Sequence, residues 1–349
     1  MEPLDDAKFS GTKEVAEHLT IEVSNLQPWI DEFVPGAGKI NSIEQFKGGQ
    51  SNPTYKIVTD SKNLVLRRKP PGKLLPSAHA VDREYKVITA LYQTDVPVPK
   101  TYGLCEDDEI AGTAFFVMDF LDGDLFWNPM IPSLSNQDRT EIYQNKNKTL
   151  ALLHGVDYKK IGLEDYGKPG NYVARQVARW SKQYRASETD DIEAMNNLID
   201  WLPKNIPDDD ETSIVHGDYR LDNMILKNNQ VMGILDWELS TLGHPIADFS
   251  YHCLSWRTQE AFWDQAKLKE LGVPSEKEYM DMYCENTGKD LSKNWEFYMA
   301  FNMFKIAGIL QGILGRVRDG TASSKHAEDR GMMVYPLSEA AWNTIIENF

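Results

Sequence analysis

The chain carries the stretch Ile214-Val-His-Gly-Asp-Tyr-Arg-Leu-Asp-Asn223 and, thirteen residues beyond Asn223, Asp236 in Gly233-Ile-Leu-Asp-Trp237. Ile214 and Val215 end a short apolar run that reads as a strand, and Gly217 permits a sharp turn after it. Met224-Ile-Leu226 reads as a second strand. Lys227-Asn-Asn-Gln230 is turn chemistry, and Val231 to Leu235 reads as a third strand that delivers Asp236 at its end. The resulting hairpin is expected to hold Asn223 and Asp236 together, with Asp218 on the loop before it.

These residue types suit phosphoryl transfer. Such a site needs a carboxylate beside the acceptor hydroxyl and hard oxygen ligands for magnesium. Asp218 followed by Asn223 is a D-x-x-x-x-N arrangement, the pattern of a kinase catalytic loop. Asp218 is the expected catalytic base, and Asn223 and Asp236 are the expected metal ligands. Taken singly, each residue is as well explained by a turn or a bend; the set of three is what points to chemistry. His216, between strand and turn, reads as a packed, hydrogen-bonded loop histidine.

With these residues in view the chain resembles the aminoglycoside phosphotransferase-type small-molecule kinases, a branch of the protein-kinase-like fold. Within that branch it is most similar to the kinase-like domains related to those fused to acyl-CoA dehydrogenases. The similarity is carried by Arg67-Arg-Lys-Pro-Pro-Gly-Lys-Leu-Leu-Pro-Ser-Ala-His-Ala-Val-Asp-Arg-Glu-Tyr85, Arg175 to Tyr184, Asp200-Trp-Leu-Pro203, Ile234-Leu-Asp-Trp-Glu238 and Gly243-His-Pro-Ile-Ala-Asp248. It runs from about Ile43 to the C-terminus. The resemblance implies an α+β, bilobal fold. Residues 1–121 would form a nucleotide-binding lobe, an antiparallel sheet plus a helix, with a helical N-terminal extension. Residues 122–349 would form a mainly helical lobe holding the catalytic hairpin and the acceptor. It also implies ATP as co-substrate, Mg2+ as cofactor, and structural support of the catalytic loop by a helix-borne Asp248.

Residues 13 to 32 read as a helix, with Val15, Leu19, Val23, Leu26 and Ile30 on one face. Beyond them, Gly48 and Gly49 allow backbone amides to approach phosphates, with Gln50, Ser51 and Asn52 as further phosphate-loop candidates. An ordinary hairpin turn explains the same glycines. In the strand Asn63 to Arg68, alternation puts Val65 and Arg67 on one face and Leu64, Leu66 and Arg68 on the other. Arg67 stands where the kinase pattern has lysine. It keeps the cation and can fork onto phosphate, but it is bulkier. On the helix from about His79 to Tyr92, Glu84 falls in the apolar stripe of Ala80, Val87, Ile88 and Leu91. A buried carboxylate needs a partner, and Arg67 is the expected one. The apolar strand from Ala114 to Leu121 ends at the turn Asp122-Gly123-Asp124, the expected lobe boundary. By the resemblance, backbone groups of Asp119, Phe120 and Leu121 meet the purine edge and Met118 lines the pocket. Trp180, Tyr184, Trp237 and Trp256 are aromatic candidates for an acceptor wall.

Composition bounds the partners. With 41% hydrophobic and 11% aromatic residues over 349 positions, the chain can build two cores. A net charge of −16 disfavours nucleic acid and anionic membrane as partners. The longest apolar region, Trp295 to Val317, is interrupted by Asn302, Lys305 and Gln311 and reads as a buried helix. Cys105, Cys253 and Cys284 are three in number and widely spaced, which argues for reduced thiols and a cytoplasmic setting. The expected reaction moves the ATP γ-phosphate to a hydroxyl of a small molecule. Hydroxyacyl compounds, aminoglycosides, amino alcohols and sugars stay open as acceptors. A non-catalytic nucleotide-binding module is the alternative, with Arg67 its main support.

Overall fold

The computed structural model describes residues 10–48, 52–72, 79–259, 264–322 and 326–349. Its chain contacts separate it into two units. The first comprises Met1–Tyr166, Asp218–Ser240 and Leu271–Val273, and the second Gly167–Gly217, Thr241–Glu270 and Pro274–Phe349.

The first unit is built on a six-stranded antiparallel sheet of β1 (Thr12–Lys13), β2 (Ile40–Phe46), β3 (Thr54–Thr59), β4 (Asn63–Arg68), β5 (Thr101–Cys105) and β6 (Phe115–Asp119). Their order across the sheet is β1-β2-β3-β4-β6-β5. Central strand β4 is buried from Leu64 to Arg68, on both faces. Leu64 and Leu66 enter a core with Trp29, Ile30, Tyr55, Phe115 and Val117. Val65 and Arg67 turn to the other face, where β6 pairs Val65 with Met118 and Arg67 with Phe116 in register. The alternation read from the sequence is therefore present.

Helix α1 (Val23–Phe33) corrects the expected helix over 13–32. Only its second half is α-helical. Thr12 and Lys13 pair instead with Phe46 and Gln45 at the sheet edge, a single 3-10 turn spans Glu17–Leu19, and Thr20 and Glu22 are extended. Thr12, Val15, Thr20, Ile21 and Val23 are β-branched and lose side-chain freedom in a helix. The apolar face survives the change of structure: Leu26 and Ile30 are buried, and Val15 and Leu19 pack against the same core.

Helix α2 (Val81–Leu91) buries Glu84, Val87, Ile88 and Leu91 of the expected stripe, while Ala80 caps the helix and is half-buried. The hairpin of Met224–Lys227 and Gln230–Ile234 pairs Met224 with Ile234. Asn228 and Asn229 close it with φ of 51° and 61°, the two positive values that a type I′ turn requires. Its tip is anchored on helix α3 (Asn136–His154), because Asn229 Nδ2 donates to Asp138 Oδ1 and Glu141 Oε2.

The second unit is mostly helical. Ser213–Val215 pairs antiparallel with Thr241–Gly243. Its main helices are α4 (Tyr172–Ala186), α5 (Glu193–Trp201), α6 (Pro245–Cys253), α7 (Trp295–Arg318) and α8 (Val334–Asn348); α7 packs against α4, α6 and α8, and α6 also against Ser213–Val215. Helix α6 starts at a proline, which lacks the N–H that a first turn leaves unpaired. Helix α7 is long and apolar enough to cross a membrane, yet 67% of its most apolar window is buried within the protein. Its polar interruptions have partners here. Asn302 donates to Ala247 O and Ser250 Oγ, Gln311 to Ser187 O and Thr189 Oγ1, and Lys305 Nζ lies over the Tyr251 ring.

Candidate active site

In the second unit, Asp248 in the first turn of α6 accepts two successive backbone amides. His216 N donates to its Oδ2 at 2.8 Å and Gly217 N to its Oδ1 at 2.9 Å. A buried carboxylate facing two N–H groups is a strong, directional brace. Gly217 has φ of 83°, a left-handed value that suits glycine. His216 is fully buried beside it. The turn that leads into Asp218 is thus rigid, and this is the geometry expected for Asp248.

In the first unit, Asn223 Nδ2 donates to Asp218 O at 2.9 Å and to Asp218 Oδ2 at 3.2 Å. Leu235 N donates to Asn223 O at 2.8 Å, so the hairpin brings Asn223 next to Asp236 as its pattern implied. Asp236 has φ of 63°, an uncommon conformation for a residue with a Cβ and one that concentrates at functional sites. Its Oδ1 meets Arg67 NH2 at 2.5 Å, and Arg67 Nε meets Glu84 Oε2 at 2.7 Å. The expected Arg67–Glu84 pair is present, and Asp236 extends it to three residues.

Burial is graded along this line. Arg67 and Glu84 are 7% and 1% exposed, whereas the side chains of Asp236 and Asp218 are 32% and 21% exposed. Burial pushes the Glu84 carboxyl up to about 7 against the pull of Arg67. Burial also lowers Arg67, but the Glu84 and Asp236 carboxylates outweigh it and hold the guanidinium above its ordinary value. Arg67 is therefore a fixed cation with one buried and one accessible acidic partner.

The oxygens left over suit a hard divalent cation. Asn223 directs its nitrogen to Asp218, leaving Oδ1, and Asp236 gives one oxygen to Arg67, leaving Oδ2. Among the described residues no group of three or more His, Cys, Asp or Glu could hold a metal. A magnesium ion here would complete its shell from phosphate and water, which is its usual habit.

The other expected site residues stand as follows. Gly49, Gln50 and Ser51 lie outside the described residues, and Gly48 lies in a bend after β2. Asn52 is fully buried with its side chain bonded to Glu84 and His79. Asp119 N donates to Lys100 O, and the Asp119 carboxylate accepts Tyr102 OH at 2.6 Å. The Asp119 N–H is therefore not a hinge donor, and the Asp119 carbonyl with the backbone of Phe120 and Leu121 are the hinge candidates. Trp237, Tyr184 and Trp256 are core side chains; the indoles of Trp237 and Trp256 donate to Ile234 O and Pro274 O. Of the four expected wall aromatics, only Trp180 is half-buried. Arg220 went unnoticed in the sequence. Its Nε lies 3.2 Å from Asp218 Oδ1 and its NH2 2.9 Å from Asp222 Oδ2. A cation two residues beyond the expected base was the available signal.

The sequence matches the model of the phosphotransferase enzyme family (APH) over residues 42–283. The chain belongs to the phosphotransferase enzyme family. This phosphotransferase is 45% identical over 341 residues to acyl-CoA dehydrogenase family member 10 of Mus musculus, covering 95% of the chain and 32% of that protein. To acyl-CoA dehydrogenase family member 11 of Homo sapiens it is 39% identical over 344 residues, covering 95% and 44%. The chain thus spans less than half the length of these relatives. Among solved structures, a provisionally assigned aminoglycoside phosphotransferase from Ralstonia eutropha JMP134 matches with TM-score 0.87 and 48% identity, over 95% of this chain and 100% of that one. Aminoglycoside phosphotransferase APH(4)-Ia, in a ternary complex with ADP and hygromycin B, matches at TM-score 0.62 and 11% identity, over 91% and 98%. Choline kinase from Cryptosporidium parvum matches at 0.64 and 12%, over 93% and 97%. At such identities these two share the fold alone. That fold is the α+β, bilobal, protein-kinase-like fold expected from the sequence.

Proposed function

We propose that the protein is a magnesium-dependent small-molecule kinase that moves the ATP γ-phosphate to a hydroxyl group. The observation that carries this reading is the line of direct contacts joining Glu84, Arg67 and Asp236, with Asn223 bonded to Asp218 beside it. The ADP in the APH(4)-Ia complex supports a nucleotide here.

Residues before 122 are proposed to hold the nucleotide: the glycine-containing loop at Gly48, the Val65 and Met118 face, and the Phe120 and Leu121 backbone. Arg67 faces the phosphates and fixes Asp236 in place. Asn223 Oδ1 and Asp236 Oδ2 would hold the magnesium, which when bound neutralises charge on the phosphates. Asp218 orients the acceptor and takes the proton from its hydroxyl as the oxygen–phosphorus bond forms and the bond to the ADP oxygen breaks. Asn223 fixes Asp218 Oδ2. Oδ1 lies 3.2 Å from Arg220 Nε, and because the Arg220 side chain is 56% exposed an acceptor hydroxyl can compete with that contact.

The acceptor is proposed to be a hydroxyacyl compound, because relatives similar to this chain over 95% of its length are acyl-CoA dehydrogenase family members. The test offers Mg-ATP and pooled hydroxyacyl thioesters, hydroxy acids, aminoglycosides, amino alcohols and sugars, with product read by mass spectrometry. One pool should gain a single phosphate, and Asp218→Asn should abolish that gain. No product from any pool, with Mg-ATP still bound, would favour the non-catalytic module.

A further inference from the structure

Asn52 follows the glycine-containing loop, a position from which a side chain could reach phosphate. Its side chain turns inward instead. Nδ2 donates to Glu84 Oε1 at 2.8 Å, and Oδ1 meets His79 Nδ1 at 3.1 Å. Glu84 Oε2 then holds Arg67 Nε, and Arg67 NH2 holds Asp236. Five side chains, from His79 to Asp236, form one unbroken polar line.

That line has a direction. In its ionised, Arg67-paired form the Glu84 carboxylate only accepts, so the amide nitrogen of Asn52 faces it. The amide oxygen is thereby presented to His79, whose Nδ1 must carry the hydrogen. His79 itself has φ of 60° and lies two residues before α2, the helix that bears Glu84. A left-handed residue with a Cβ persists only when its surroundings hold it, and the bond to Asn52 is such a hold.

We propose that Asn52 and His79 are positioning residues for the phosphate-facing cation, locking Glu84 in the rotamer that aims Arg67. The proposal rests on the kinase reading and adds the means by which an arginine serves in a lysine's place. A lysine ammonium is a point charge that any rotation of its terminal group leaves in place. A guanidinium is a planar fork, so its usefulness depends on which edge is held. Glu84 holds the Nε edge only if its own carboxylate plane is fixed, and Asn52 supplies that second anchor.

The test measures Mg-ADP affinity by calorimetry in the wild type, Asn52→Leu and His79→Ala, each also in an Arg67→Met background. Folding is checked by a cooperative melt. Asn52→Leu is expected to weaken affinity about tenfold and His79→Ala about threefold. Both losses should vanish in Arg67→Met, since no fork is left to orient. Wild-type affinity in both folded single variants would overturn the proposal. So would losses that persist undiminished without Arg67, because they would show a purely structural role. If Asn52→Leu fails to fold, His79→Ala is judged on the same criteria, with Asn52 and Glu84 intact. Wild-type protein that binds no Mg-ADP would overturn the kinase reading itself, a result distinct from any of these.

Discussion

Arg67 is placed so that stability depends on it and, on the proposed function, chemistry does as well. It is buried against Glu84 and bonded to Asp236. Removing it alone strands a buried carboxylate, so Arg67→Met should cost about 3–5 kcal/mol in chemical denaturation. Arg67→Met with Glu84→Leu should recover most of that loss, because a well-packed apolar pair replaces a buried ion pair at little cost. Nucleotide affinity should stay weak in both, separating the cation's two roles. At Asp218 the expectation is different. Asp218→Asn keeps the size and a hydrogen-bonding group but cannot take a proton, so transfer should fall by about 10²–10⁴ while Mg-ADP affinity is retained. Equal losses of both in calorimetry and turnover assays would remove Asp218 from the role of base. The residue types and spacing of Asp218, Asn223 and Asp236 were legible in the sequence because each is tied to its neighbours within a few positions. Arg220 and His79 were not, because nothing local says where a long or aromatic polar side chain will turn.

Among the elements, the hairpin of residues 224–234 is the most completely legible in the sequence and the N-terminal segment the least. The hairpin has strong local chemistry: two asparagines tolerate the positive φ of its turn. Asn229 also ties the tip to α3 through Asp138 and Glu141. Asn229→Ala should therefore cost about 1–2 kcal/mol in urea unfolding, and Asn229→Gly, which keeps the turn, less. An equal cost for both would mean that the side-chain bonds, not the turn, carry the stability. The N-terminal stripe of Val15, Leu19, Val23, Leu26 and Ile30 fits a helix of 3.6 residues per turn, but a two-residue strand, a 3-10 turn and a shorter helix deliver most of the same residues to one core. Periodicity reports which side chains are buried. It does not report the backbone that buries them when a sheet edge nearby offers hydrogen bonds.

At the scale of the whole molecule, stability against pH gathers contributions from buried ionisable groups. His244 is buried, and burial lowers its pKa below the ordinary imidazole range despite its bond to Asp209 O. Its neighbours in the second unit include Asp209, Glu211, Lys289 and the stacked ring of Tyr298. The unfolded chain then takes up this proton first, so the stability from a neutral His244 is present above the unfolded value and lost as pH falls. From about pH 7 to about pH 5 the melting temperature should drop more in the wild type than in His244→Gln. Glu84, shifted upward, contributes with the opposite sign, so the comparison lies between the two proteins and not in either slope alone. A His244→Gln profile parallel to the wild type would exclude His244 as an acid-labile group. The sequence by itself determined the local pattern: the proposed base Asp218 and its partner Asn223 on one short loop, Asp236 at a strand end, the stripe that buries Glu84 and the buried character of α7. Only the tertiary structure decided which groups share a hydrogen bond: that Asn52 turns inward to Glu84, that Asp248 braces two amides, and that Arg67 reaches Asp236, 169 positions away in the chain. Local signals are set by backbone propensities and side-chain periodicity within a few residues, whereas long-range partners are chosen by the packing that makes their burial affordable.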